Sequence, residues 1–299
     1  LVYNAAFIKF SEGNYELANN AFSKYIERFK QGVFLSDAIY YNAVSSLNIG
    51  DTISAVELYL RNIKIGSLEH KEESVIFLAR YYYGKQDFAF SNEYYEMLNN
   101  IASTNSFKRE AIIRLMYGYK ESNSNLSYNY AKEVVLLDKI DNWLLSNAYL
   151  IIARKEFNEG NYSKARKTYQ RVQSLSNYNE AAEAVYFLIY FNYLDDNLDL
   201  AEQMIFDFSD EYNNDYFLAK AYLLLSDIYV IRNNNFQAKA TLESIIDNHE
   251  GKELVNIARK KLEDIIEREL LEKNNTSYNL HVDVLEDDID YDIEIFQDS

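Results

Sequence analysis

Asp288, Asp290, Asp292 and Glu294 stand at the alternate spacing with which a calcium-binding loop opens. In such a loop carboxylates converge on one hard cation, and the turn needs glycine at its sixth place and a bidentate glutamate at its twelfth. Here Ile293 and Ser299 occupy those places, so the loop is not completed. His70-Lys71-Glu72-Glu73 lacks the second histidine of a helical zinc site. The other histidines, His249 and His281, are remote from it in sequence. Cysteine is absent, which removes disulfides, thiolate metal sites and cysteine nucleophiles together. The eight glycines include no Gly-x-Gly turn that could cradle a phosphate. Carboxylate pairs abound in so acidic a chain, but none stands in a catalytic context. The sequons at Asn125, Asn161 and Asn274 are what an asparagine-rich sequence yields by chance. The residues assign no catalytic, cofactor-binding or metal-binding site, and the chain reads as a non-enzyme.

The 299 residues carry 30 basic and 47 acidic side chains, a net −17 that argues against a nucleic-acid backbone as partner. With 48% apolar residues there is ample material for a core, and wholesale disorder is excluded. No apolar run approaches the roughly 18–20 residues that span a bilayer. Proline is absent, so nothing forces breaks in long helices. The 28 tyrosines and the missing proline together resemble the codon usage of an AT-rich genome, so tyrosine is not read as functional wherever it occurs.

Three registers repeat along the chain. The first is Ala6, Ala43, Ala79, Met116, Ala153, Ile189 and Ser226, at spacings of 37, 36, 37, 37, 36 and 37. The second is Ala18, Ala55, Ser91, Ala131, Ala165, Ala201 and Ala238. Four residues beyond each stands a large apolar residue: Phe22, Tyr59, Tyr95, Val135, Tyr169, Ile205 and Leu242. A spacing of four keeps residues on one helix face. The small residue lets two helices approach, and the large one fills the space beside it. Between the registers lie turn signals such as Gly13-Asn14-Tyr15, Gly50-Asp51-Thr52, Gln86-Asp87-Phe88 and Gly160-Asn161-Tyr162. Asp196-Asn197-Leu198 and Asn233-Asn234-Asn235 supply two more. Glycine and asparagine tolerate the left-handed backbone that closes one helix before the next begins. Each unit is then a helical hairpin with an apolar edge that only stacking can bury.

The order Ala153, Phe157, Gly160-Asn161-Tyr162, Ala165, Tyr169 resembles the tetratricopeptide repeat (TPR), as does Ala6, Phe10, Gly13-Asn14-Tyr15, Ala18, Phe22. The resemblance implies an all-α superhelical solenoid over residues 1–250, with units near 1–33, 34–68, 69–105, 106–141, 142–177, 178–213 and 214–250. The units run two or three residues over the usual 34. Their second helix also lacks the frequent closing proline. The fourth unit is the least regular, with the polar loop Glu121-Ser122-Asn123-Ser124-Asn125 between its helices.

Residues 251–275 read as a capping helix, with Leu254, Ala258, Leu262, Ile265, Ile266 and Leu270 on one stripe. Both signs of charge on its other face argue against a membrane surface. At the other end Leu1-Val2-Tyr3 already lies inside a helix with no N-cap residue, so further repeats are expected upstream. Residues 276–299 hold eight acids and no Lys or Arg. Their alternation of acidic and apolar residues suits a disordered tail or an extended docking segment. Leu285, Ile289, Tyr291, Ile293, Ile295 and Phe296 would make its contacts.

The resemblance directs attention to the groove-facing positions of each first helix. One residue past the first register stand Phe7, Val44, Arg80, Tyr117, Arg154, Tyr190 and Asp227. Tyr40 and Tyr186 lie three before it, and Tyr83 and Phe157 four after. Arginine and aromatic residues are those most often energetic at interfaces. The expected function is a scaffold that binds a peptide or protein of unknown identity in this groove, without cofactor. A bacterial envelope setting follows only from the resemblance, with the cytoplasm as its alternative. A structural spacer within a longer envelope protein and a glycan-handling surface protein are the rival readings.

Overall fold

The computed structural model describes residues 1–65, 70–122, 125–175 and 179–294, the side chains of 179 and 274–294 excepted. Among the described residues there are fifteen α-helices and no strand. Seven hairpins succeed one another: α1 (Val2–Ser11) with α2 (Tyr15–Arg28), α3 (Leu35–Asn48) with α4 (Thr52–Ile65), α5 (Lys71–Gly84) with α6 (Phe88–Ile101), and α7 (Asn105–Glu121) with α8 (Leu126–Val134). Then come α9 (Asn142–Asn158) with α10 (Tyr162–Leu175), α11 (Asn179–Leu194) with α12 (Leu198–Glu211), α13 (Asp215–Ile231) with α14 (Asn235–Asn248), and the last helix, α15 (Lys252–Glu294). The chain has the all-α fold of a helical solenoid, with consecutive helices packing on one another from α1 to α8 and from α10 to α15. It divides into two compact units, Leu1–Lys155 and Glu156–Ser299.

The repeat registers are the core. Every residue of the first two is buried, from Ala6 and Ala18 at 0% exposure to Ser226 at 1%. The third is buried except at Val135, which is only partly covered. There α8 ends at Val134, and Val134 takes the buried place. The short α8 leaves its last turn to non-helical backbone, which shifts the filler by one residue.

The turns between paired helices, other than that between α7 and α8, share one two-residue arrangement. Gly13, Gly50, Gln86, Gly160, Asp196 and Asn233 all have positive φ, from 57° to 85°. At each the following amide reaches back five residues, as Asn14 N–H does to the Lys9 carbonyl (2.9 Å) and Asp87 N–H to that of Tyr82 (3.0 Å). This is the closure of a Schellman-type end. The same following residue then starts the second helix. Asp51, Asp87 and Asn234 accept a hydrogen bond from the amide three residues on, at 3.1, 3.4 and 3.2 Å.

Buried polar groups join successive hairpins in the first unit. Asn62 of α4 donates to Ser74 Oγ of α5 (2.9 Å) and accepts from Ser36 Oγ of α3 (3.0 Å). In the second unit α15 covers the end of the last hairpin. Leu254, Ala258 and Ile265 are buried against α13 and α14, with Leu262 packed beside them. The expected stripe is narrower than read: Ile266 is 42% exposed and Leu270 55%. The helical backbone continues past 275 to Glu294. No glycine or proline follows Gly251 to stop it. Up to Glu294 the tail is therefore helical backbone, where the alternating pattern suggested disorder or an extended segment. Leu285, Ile289, Tyr291 and Ile293 lie on it, and Ile295 and Phe296 lie outside the described residues.

Candidate functional site

In the first unit the first helices of three successive hairpins, α5, α7 and the start of α9, form a groove with a cavity of about 740 Å³. Arg80 and Tyr83 come from α5, Glu110, Arg114 and Tyr117 from α7, and Trp143 from the first turn of α9. Asp141 caps that turn, its Oδ1 accepting from Leu144 N–H at 2.8 Å. Trp143 is the only tryptophan of the chain and is 55% exposed. Its ring stacks on that of Tyr117, centroids 6.3 Å apart.

The groove is charged, and its charges are organised. Arg80 binds Glu110 with two parallel bonds, Nε to Oε1 at 2.7 Å and Nη2 to Oε2 at 2.6 Å. The Tyr95 hydroxyl adds a third bond to Oε1 at 3.2 Å. These donors, Arg80 first, hold the Glu110 carboxyl below its ordinary range against the opposing effect of burial. Arg109 donates to the backbone carbonyls of Asp138 and Lys139, pinning the loop that leads into α9. Lys139 adopts positive φ there. Arg114 is exposed, with its guanidinium 4.6 Å from the centre of the Tyr83 ring.

The other sequence-expected groove residues are placed as follows. Phe7 makes an edge contact with Tyr41 (5.0 Å). Tyr40 stacks flat on His70 at 4.1 Å, and burial raises its pKa. Val44 packs against the core shared by α4 and α5. Arg154 is half-buried on α9. In the second unit Phe157 packs among Phe187, Tyr190 and Phe191. Tyr186 is 7% exposed, and burial pushes its hydroxyl up to about 12. Lys220 lies 4.5 Å over its ring. Asp227 pairs with Lys261 at 2.5 Å. The structure thus brings Arg80, Tyr83 and Tyr117 together at one groove. It spends Phe157 and Tyr186 on packing.

Arg114, Glu110 and Trp143 were not singled out from the sequence. Trp143 stands ten residues before Ala153, outside the positions counted from the register. Its being the lone tryptophan was the available signal. Glu110 stands six before Met116, and Lys261 of α15 faces Asp227 of α13 as Glu110 of α7 faces Arg80 of α5. A charge one past the register is therefore open to capture by the next first helix. Among the described residues no group of three or more His, Asp or Glu is placed to hold a metal ion.

No protein-family model matches the sequence, and no curated protein matches it. Solved structures do share its fold. The C-terminal part of a TPR repeat-containing protein from Cytophaga hutchinsonii superposes with a TM-score of 0.50 at 14% identity. That match covers 85% of this chain and 98% of the other. The apo form of the quorum sensor NprR from B. thuringiensis matches with a TM-score of 0.48 at 14% identity, over 95% of this chain and 86% of that one. The chain has the fold of a tetratricopeptide-repeat array. Among the described residues no helix is long and apolar enough to cross a membrane.

Proposed function

We propose that this chain is a non-enzymatic interaction scaffold, and that the groove over α5, α7 and the start of α9 takes a segment of a partner protein or peptide. The observation that carries this reading is Trp143, a large aromatic side chain 55% exposed on the wall of a cavity of about 740 Å³. An aromatic with an apolar body gains most when a partner desolvates it. The volume lies within the range of about 300–1,000 Å³ typical of ligand clefts. Tyr117 beside it and the Tyr83–Arg114 pair extend the same surface.

The groove carries its own reporter, because all tryptophan emission of the chain arises at Trp143. A pool of end-blocked heptapeptides of mixed composition is titrated into the full chain, with calorimetry in parallel. Binding in the groove shifts or quenches the emission saturably, and Tyr117→Ala weakens that response without loss of helicity. Heat of binding with unchanged Trp143 emission for every bound fraction would place the binding surface elsewhere.

A further inference from the structure

Five charged side chains line the cavity, Arg80, Arg109, Arg114, Glu110 and Asp141, giving it a formal +1 in a chain of −17. Four of the five are already engaged. Glu110 gives both oxygens to Arg80 and a further bond to Tyr95. Arg109 is fixed to two backbone carbonyls. Asp141 caps α9. Arg114 has no carboxylate within ion-pair distance among the described residues, although its charge also acts on Glu110 one turn back, and its guanidinium sits 4.6 Å from the centre of the Tyr83 ring. A guanidinium resting on a ring still offers N–H donors in the planar fork that suits two parallel bonds to a carboxylate. The stack also fixes the guanidinium in advance, so less side-chain freedom is lost when an anion arrives. The groove therefore has two ends. One is the guanidinium of Arg114 beside Tyr83, towards α5. The other is the exposed face of Trp143 beside Tyr117, towards α9.

Resting on the groove reading above, we propose that the partner segment is acidic and extended, with side-chain carboxylates next to aliphatic or aromatic residues. Successive side chains of an extended segment point to opposite sides. A carboxylate can then reach Arg114 while its apolar neighbour covers Trp143. The chain's overall negative charge does not forbid this, because charges beyond about 8 Å are largely screened at physiological salt.

The probe is the blocked heptapeptide acetyl-Asp-Tyr-Asp-Ile-Glu-Ile-Phe-amide, whose order of residues matches 290–296 of the chain. Its comparator is the isostere with Asn and Gln for the acids. The blocked end removes the terminal carboxylate, and a third peptide with a free C terminus measures what that group adds. Trp143 emission is followed in the full chain and in Arg114→Gln. The acidic peptide should bind on the order of tenfold tighter than its isostere, the worth of one charge-assisted hydrogen bond. Arg114→Gln should erase that difference, whatever it does to the isostere's own affinity, and added salt should shrink it. Equal affinity of acidic and neutral peptides would overturn the acidic preference and leave the groove reading standing. An acidic preference that survives in Arg114→Gln would also overturn it, as would binding that requires the free C terminus. If none of the three peptides perturbs Trp143 the inference falls, and the mixed-pool titration alone then decides whether the groove binds anything.

Discussion

A buried amide is tolerated only where its donors and acceptor are met, and Asn62, at 0% exposure, meets them on two other helices. Asn62→Leu keeps the volume and removes these bonds together with the longer one from Asn62 Nδ2 to the His70 carbonyl (3.4 Å). The Ser74 hydroxyl retains its bond to the His70 carbonyl (2.6 Å), whereas Ser36 loses its acceptor. The expected loss is about 1–3 kcal/mol in urea melts, and a variant as stable as the parent would show that the network adds nothing. Glu110 gives a prediction with a pH sign. Its folded pKa is depressed, so its contribution is complete above the ordinary carboxylate range and disappears as pH falls through the folded value. Arg80 is 56% exposed, which limits the pair to roughly 1 kcal/mol or less. Glu110→Gln should be slightly less stable than the parent at pH 7, with the gap closing below about pH 4. A gap that is constant between pH 7 and pH 3 would mean that the pair is not its source. This pair also marks where residue-level reading of the sequence stops. Arg80 was legible as a groove cation, but its neutralisation depends on which residue of the next hairpin slides beside it. That offset is set by packing between hairpins, 30 residues apart in sequence.

Whole elements were far more legible, because one rule repeats at each of them. Fourteen positions in two registers are buried, twelve of them alanine or serine that let helices cross closely, with Met116 and Ile189 filling the same place at the other two. The turns were legible for the same reason: each needs one left-handed residue. Where that residue is Gln86, Asp196 or Asn233 instead of glycine, the position still holds, and the side chain bears the strain. Gly160 tests the point, since a Cβ there meets nothing within 4 Å while φ is +76°. Gly160→Ala should therefore cost about 1–2 kcal/mol through backbone conformation alone, and Gly160→Asn markedly less. Equal stability of the alanine and asparagine variants would refute that account. The fourth hairpin was the least legible. Its α8 has 9 residues where other second helices have 14, and the loop from Val135 to Asp141 replaces the missing turns. Nothing in a period of 37 announces that replacement, although Arg109 and the Asp141 cap hold the loop in place.

At the scale of the whole chain, the core is a series of local clusters. Ala6 to Ile39, Ala43 to Leu115 and Ile112 to Ile152 form three in the first unit, and two more lie in the second. Stability of such an array is close to a sum of repeat and nearest-neighbour terms, so damage should stay near its origin. Ala165 sits at 0% exposure in α10, which packs on α11. Ala165→Leu adds three carbons where none fits and should cost about 1–3 kcal/mol by overpacking. Amide exchange then shows where the loss falls. Amides of α10 and α11 should exchange faster, while those of α3 to α5, held by the Asn62 network and the Tyr59–Tyr95 cluster, keep the parent's protection. A uniform loss of protection would mean that the chain opens as one cooperative body. No loss anywhere would mean that Ala165 is not a close-approach position, and the register that reads Ala18, Ala55, Ser91, Ala131, Ala201 and Ala238 as equivalents would fail with it.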